Sequence, residues 1–156
     1  MRFIGWIRKC GMLAVMIFLN SACSANSPTE PPRTIQIQQV WQLQPGDTVG
    51  GHRVASGLGD ISIDLRGDKA YAPFGGRVQP LQPDVKNCVV FSSPEIPAYL
   101  FRLCGLQKLK LGEVEQGDVI GSGAYLYFAT LRKQTDGTWA MVEPAHDILE
   151  RILRSP

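Results

Sequence analysis

Between Ile61 and Leu65 apolar and polar residues alternate strictly, Ile61, Ile63 and Leu65 against Ser62 and Asp64, the period of a strand with one buried face. Leu126, Phe128 and Thr130 alternate in the same way with Tyr125, Tyr127 and Ala129, which predicts a central strand with two unlike faces. Two extended runs, Cys88-Val89-Val90-Phe91 and Tyr99-Leu100-Phe101-Arg102-Leu103-Cys104, flank Ser92-Ser93-Pro94-Glu95-Ile96-Pro97 and read as a hairpin centred near Ile96. Ile35 to Leu43 is a further strand candidate, with Ile35, Ile37, Val40 and Trp41 as its apolar positions. Turn signals separate these runs. Pro45-Gly46-Asp47 precedes a loop or short strand at Val49 to Val54, and Arg66-Gly67-Asp68-Lys69 turns the chain back into Ala70-Tyr71-Ala72. Pro73-Phe74-Gly75-Gly76 bends it again, and Asp136-Gly137 leads into Trp139 to Val142. Only the C-terminus has a helical period, where Ile148, Leu149, Ile152 and Leu153 share one side after Pro144. The expected fold is all-β, an antiparallel and barrel-like sheet with a short C-terminal helix.

The N-terminus follows a different logic. Arg2, Arg8 and Lys9 precede the apolar run Met12 to Leu19, and small residues follow, so residues 1–22 read as a signal peptide. The apolar run is shorter than the roughly 20 residues that an ordinary membrane-spanning helix needs. Leu19-Asn20-Ser21-Ala22-Cys23 resembles a bacterial lipoprotein processing site, with Asn20 in the place where Leu is usual. It leaves two readings, a lipid on Cys23 or simple secretion. Residues 23–34, rich in Ser and Pro, read as a flexible tether, and residues 35–156 as one domain.

Charge narrows the partners. The chain has 16 basic and 14 acidic residues, and removing the signal leaves 13 against 14, near −1. Nucleic acid is excluded as a partner, because phosphate binding needs a concentrated basic surface. With Cys10 in the signal and Cys23 open to lipid, Cys88 and Cys104 remain as a pair. A hairpin centred on Ile96 puts them opposite each other, within reach of a disulfide in an oxidising compartment. Two buried free thiols are the other reading.

A resemblance emerges from the order of the motifs. Asp60-Ile61-Ser62-Ile63-Asp64-Leu65, Tyr71-Ala72-Pro73-Phe74-Gly75-Gly76-Arg77-Val78, Gly117-Asp118-Val119-Ile120-Gly121 and Tyr125-Leu126-Tyr127-Phe128 follow one another across Val49 to Leu153. The series resembles the core of the lysostaphin-like, LytM-type zinc endopeptidases (the duplicated hybrid motif), which cut peptidoglycan cross-bridges. In that family the first segment carries His-x-x-x-Asp and the last carries His-x-His. The matching ligand positions here are Asp60, Asp64 and Tyr127, Tyr125 takes an assisting position, and the family's middle histidine falls near Arg102 or Leu103.

Such a set does not suit zinc. A phenol must lose a proton whose pKa is about 10 before it ligates well. Asp60 and Asp64 on one extended strand would lie about 13 Å apart, at roughly 3.3 Å per residue. Two carboxylates without imidazole suit Ca²⁺ or Mg²⁺ better. His52 in its Gly-rich stretch reads as a solvated loop residue, and His146 as a polar surface position. The resemblance therefore implies a catalytically inactive relative with no metal and no cofactor that binds peptidoglycan or regulates a cell-wall hydrolase, and the lipid reading of Cys23 would hold it to the membrane at the periplasmic face. Asp64, Tyr125 and Tyr127 are its groove candidates, or the two tyrosines merely fill space vacated by metal and imidazoles. Two rivals stand beside this reading: an active metallo-endopeptidase with atypical ligands, and a structural envelope lipoprotein without wall contact.

Overall fold

The Gly50-Gly51 pair starts the sheet. Both residues hold positive φ, 58° and 87°, in the two-residue turn that matches the twist of paired strands. In the computed structural model, which describes residues 41–57 and 59–155, this turn folds β1 (Thr48–Val49) onto β2 (His52–Ser56). The signal peptide, the tether with Cys23 and the predicted strand residues 35–40 lie outside the described residues. Trp41 and Leu43, expected to end that strand, are not in a strand. They are 6% and 8% exposed and plug the core as side chains of an irregular segment.

The strands that follow are β3 (Ile61–Asp64), β4 (Lys69–Tyr71), β5 (Gly76–Pro80), β6 (Cys88–Ser92), β7 (Tyr99–Cys104) and β8 (Gly112–Val114). Then come β9 (Val119–Ser122), the long β10 (Tyr125–Lys133) and β11 (Trp139–Val142), before the helix α1 (His146–Leu153). The main sheet runs β1-β2-β3-β10-β7-β6-β5-β8, with β11 also on β10, and its pairings are antiparallel. The expectation of an all-β antiparallel domain with a short C-terminal helix holds. The sheet is open, because β1 and β8 end it without pairing to each other, so the barrel-like character does not reach closure.

Arg66 to Lys69 does turn the chain, but not into a hairpin on β3. The Leu65 and Arg66 N–H groups donate to the Ala124 carbonyl, and the Gly67 N–H to that of Gly123. These bonds lead the chain away from β3, and β4 pairs with β9 in a separate two-stranded sheet. Ala70 and Ile120 of that small sheet join the one hydrophobic core, together with Leu149, Ile152 and Leu153 of α1. Phe91, Phe101 and Phe128 come from three neighbouring strands. Their rings follow one another at 6.1 Å and 5.6 Å between centroids, a continuous aromatic spine under the sheet.

The hairpin of β6 and β7 has the register that the sequence predicts, with Cys88 opposite Cys104. The two cysteines form a disulfide, with Cα atoms 4.0 Å apart. Closing the loop between residues separated by 16 positions restricts the unfolded chain, which contributes about 3 kcal/mol in the chain-entropy account. Reduction should therefore lower the midpoint of urea unfolding, and an unchanged midpoint after verified reduction would contradict this.

The turn between β8 and β9 is tied by Asp118. Its carboxylate accepts from the Lys110 Nζ and from the Glu115 N–H, both at 2.8 Å. The Lys110 bond first, then the backbone N–H, holds the Asp118 pKa below its ordinary value. A depressed pKa gives stability that is present above the unfolded value and is lost as pH falls through the folded one. Asp118→Asn should therefore flatten the acid side of the stability profile below about pH 4. Parallel profiles for the two proteins would contradict the assignment.

Candidate functional site

The motif residues meet on the outer face of the main sheet, and the register of β10 puts them there. Leu126 and Phe128 are fully buried on the inner side, whereas Tyr125 and Tyr127 are 44% and 42% exposed on the outer one. β10 pairs Tyr125 with Asp64 and Tyr127 with Ser62 on β3. On its other side it pairs Tyr127 with Cys104 and Ala129 with Arg102 on β7. Paired residues in a sheet share a face, so the two tyrosines, Asp64, Arg102 and the Cys88–Cys104 disulfide stand on one surface. The groove candidates Asp64, Tyr125 and Tyr127 are thus neighbours.

Ala129 breaks the expected pattern. It belongs to the outer face with the tyrosines, yet it is 0% exposed. The cover is an ion pair. Arg102 reaches from β7 to the Asp60 carboxylate just ahead of β3, and β10 lies between those two strands. Because Ile61 pairs with Phe128 and Arg102 with Ala129, an ion pair from Arg102 to Asp60 spans β10 at the level of this small residue. The pair is a strut over three strands. Both side chains are about three-quarters covered, at 27% and 28% exposed, so the attraction is less screened than in an open surface pair. The Arg102 Nε is buried without a partner.

Gly105 holds the second feature in place. It follows β7 with φ at 82°, and a Cβ there would come 2.5 Å from the Tyr125 carbonyl oxygen and 3.0 Å from Cδ2 of Tyr127. The Tyr127 ring therefore rests against bare backbone, a place that another residue would deny it. Neither the strut nor this seat was read from the sequence. The Cys104-Gly105 step and the charge of Arg102 at an outward position of a predicted strand were the available signals.

The zinc that active members of the resembled family hold does not fit these residues. Asp60 is taken by a guanidinium, whose charge also repels a cation, and Asp64 faces Arg66 at 3.4 Å. Among the described residues no three His, Cys, Asp or Glu side chains gather at a metal-sized site. Leu103, the other position matched to the middle histidine, is 1% exposed and belongs to the core. His52 corrects an expectation. It opens β2 rather than lying in a loop, with a side chain 13% exposed. Its Nδ1 donates to the Asp64 carbonyl at 3.2 Å, and Nε2 lies 3.9 Å from Asp68. The tight Gly50-Gly51 turn leaves no loop residue after it, so His52 enters the ladder at once. His146 is exposed at the start of α1, as expected.

A cavity of about 550 Å³ opens between α1 and the far end of β7, β10 and β11, walled by Ile96, Phe101, Val142 and Ile148. Thr130, whose hydroxyl has no partner, also lines it. Compared with known proteins, the chain matches no family model and no curated sequence.

If the strut crosses Ala129, the site has no room for a larger side chain. Ala129→Leu should lower stability by about 1–3 kcal/mol, as overpacking does. In an Arg102→Ala background, with the strut removed, the same change should cost clearly less. Equal costs in the two backgrounds, read from urea unfolding, would place the strut elsewhere.

Proposed function

We propose that the protein is an exported, lipid-anchored domain, similar to a peptidoglycan endopeptidase but catalytically inactive, that binds the cell wall or regulates a cell-wall hydrolase. The observation that carries this reading is the Asp60–Arg102 pair. At the positions matched to a metal ligand and to the middle histidine, two opposite charges hold each other instead of an ion. A guanidinium has no acceptor and does not deprotonate in proteins, so it neither ligates a metal nor acts as a base. The phenols of Tyr125 and Tyr127 add contact surface in place of imidazoles.

Export has its own support. The disulfide is a bond that persists in oxidising compartments, in keeping with a signal at residues 1–22 and a lipid on Cys23. The rival reading, a peptidase with atypical ligands, would need Asp60 free of Arg102. A purely structural lipoprotein would keep its fold but show no binding that depends on Tyr125 or Tyr127.

Sedimentation with isolated peptidoglycan tests the proposal. Mature protein should pellet with the wall or with a wall-bound hydrolase. Tyr127→Ala should weaken the association by about 1–2 kcal/mol, the range in which interface aromatics begin to matter. Leu126→Ala should instead lower stability by about 2–5 kcal/mol, because it empties a buried site. If Tyr127→Ala unfolds the domain and leaves binding per folded molecule unchanged, the tyrosine is filler and the recognition surface lies elsewhere.

A further inference from the structure

The chemistry of the outer face also selects among wall components, an inference that rests on reading that face as a recognition surface. We propose that Tyr125 and Tyr127 form a platform for the glycan, a chain of amino-sugar rings, rather than for the wall's peptides.

Three features favour sugar rings. The first is aromatic area in the right place. The tyrosines occupy successive outward positions of β10, about 7 Å apart along the strand, and both are half-exposed. A pyranose ring has an apolar C–H face and a polar rim, and tyrosine offers the complement, an apolar ring with a hydrogen-bonding tip. The Tyr127 ring is already seated against the Gly105 backbone, so binding need not freeze it again.

The second feature is charge. Asp60 is paired with Arg102 and Asp64 with Arg66, so each carboxylate beside the tyrosines is held by a guanidinium. These pairs still offer hydrogen bonds to hydroxyl and acetamido groups.

The third is the absence of what a peptide uses. Peptides dock by adding a strand to a free edge or by placing side chains in pockets. At Tyr127 the strand is paired on both sides, with β3 and with β7. An apolar cavity lies on the inner side, near α1.

The test uses mature protein with three probes: a hexamer of β-1,4-linked N-acetylglucosamine, a stem tetrapeptide free of sugar, and intact peptidoglycan sacculi. Calorimetry should detect the hexamer and not the tetrapeptide. Tyr125→Ala and Tyr127→Ala should each weaken hexamer binding about tenfold, equivalent to about 1.4 kcal/mol. Tyr127→Phe, which keeps the ring and the packing on Gly105, should retain most of it. Urea midpoints of the variants separate loss of contact from loss of fold. Binding of the tetrapeptide without the hexamer, or of sacculi without either soluble probe, overturns the glycan proposal and leaves wall binding standing. Hexamer binding that ignores both tyrosines also overturns it. If neither hexamer nor sacculi bind, wall recognition itself fails, and the glycan proposal with it.

Discussion

The outward side chains at the candidate site are set by the two-residue period of β10. The strand lies inside the sheet, with β3 and then β11 along one side and β7 along the other, so its side chains have only the two faces of the sheet to choose from. Leu126 and Phe128 commit one face to the core. Tyr125 and Tyr127 must then stand on the other, in a rank with Asp64, Arg102 and the disulfide. A shift of one residue would bury the phenols and expose two large apolar side chains, so the register of this strand is strongly fixed.

On that outer rank, Asp60 and Arg102 hold each other as an ion pair. Asp60 and Arg102 come from opposite sides of β10, at the level of the small Ala129. Isolated surface ion pairs contribute little, but this one is three-quarters covered, and the loss of either partner would strand a charge that is largely out of water. The pair thus ties neighbouring strands together and occupies the Asp60 carboxylate. Fold and chemistry meet in the same contact.

Much of this was legible in the sequence. The alternation around Ile63 and around Leu126, the hairpin with Cys88 opposite Cys104, and the apolar side of α1 all follow from local period and turn residues. What escaped depended on contacts far apart in sequence. Trp41 and Leu43 look like strand residues by local pattern but serve as plugs, because the core beside them needed filling. β4 left β3 for β9 through backbone bonds to residues 123 and 124, which no local signal announces. Ala129 was read as an open position because its cover arrives from β7 and from the residue ahead of β3. The site was legible as a list of positions, Asp60, Asp64, Tyr125 and Tyr127. The strut that joins one of them to Arg102, and the seat that Gly105 provides for another, were not.

The central claim is that charge pairing closes this face to metal and leaves it for recognition. Titration of Zn²⁺ into chelator-treated mature protein, followed by calorimetry, meets that claim most directly. The account predicts no saturable site in the wild-type protein. A site of one equivalent that disappears in Asp60→Asn would contradict it, because Asp60 would then be a ligand and not the partner of Arg102.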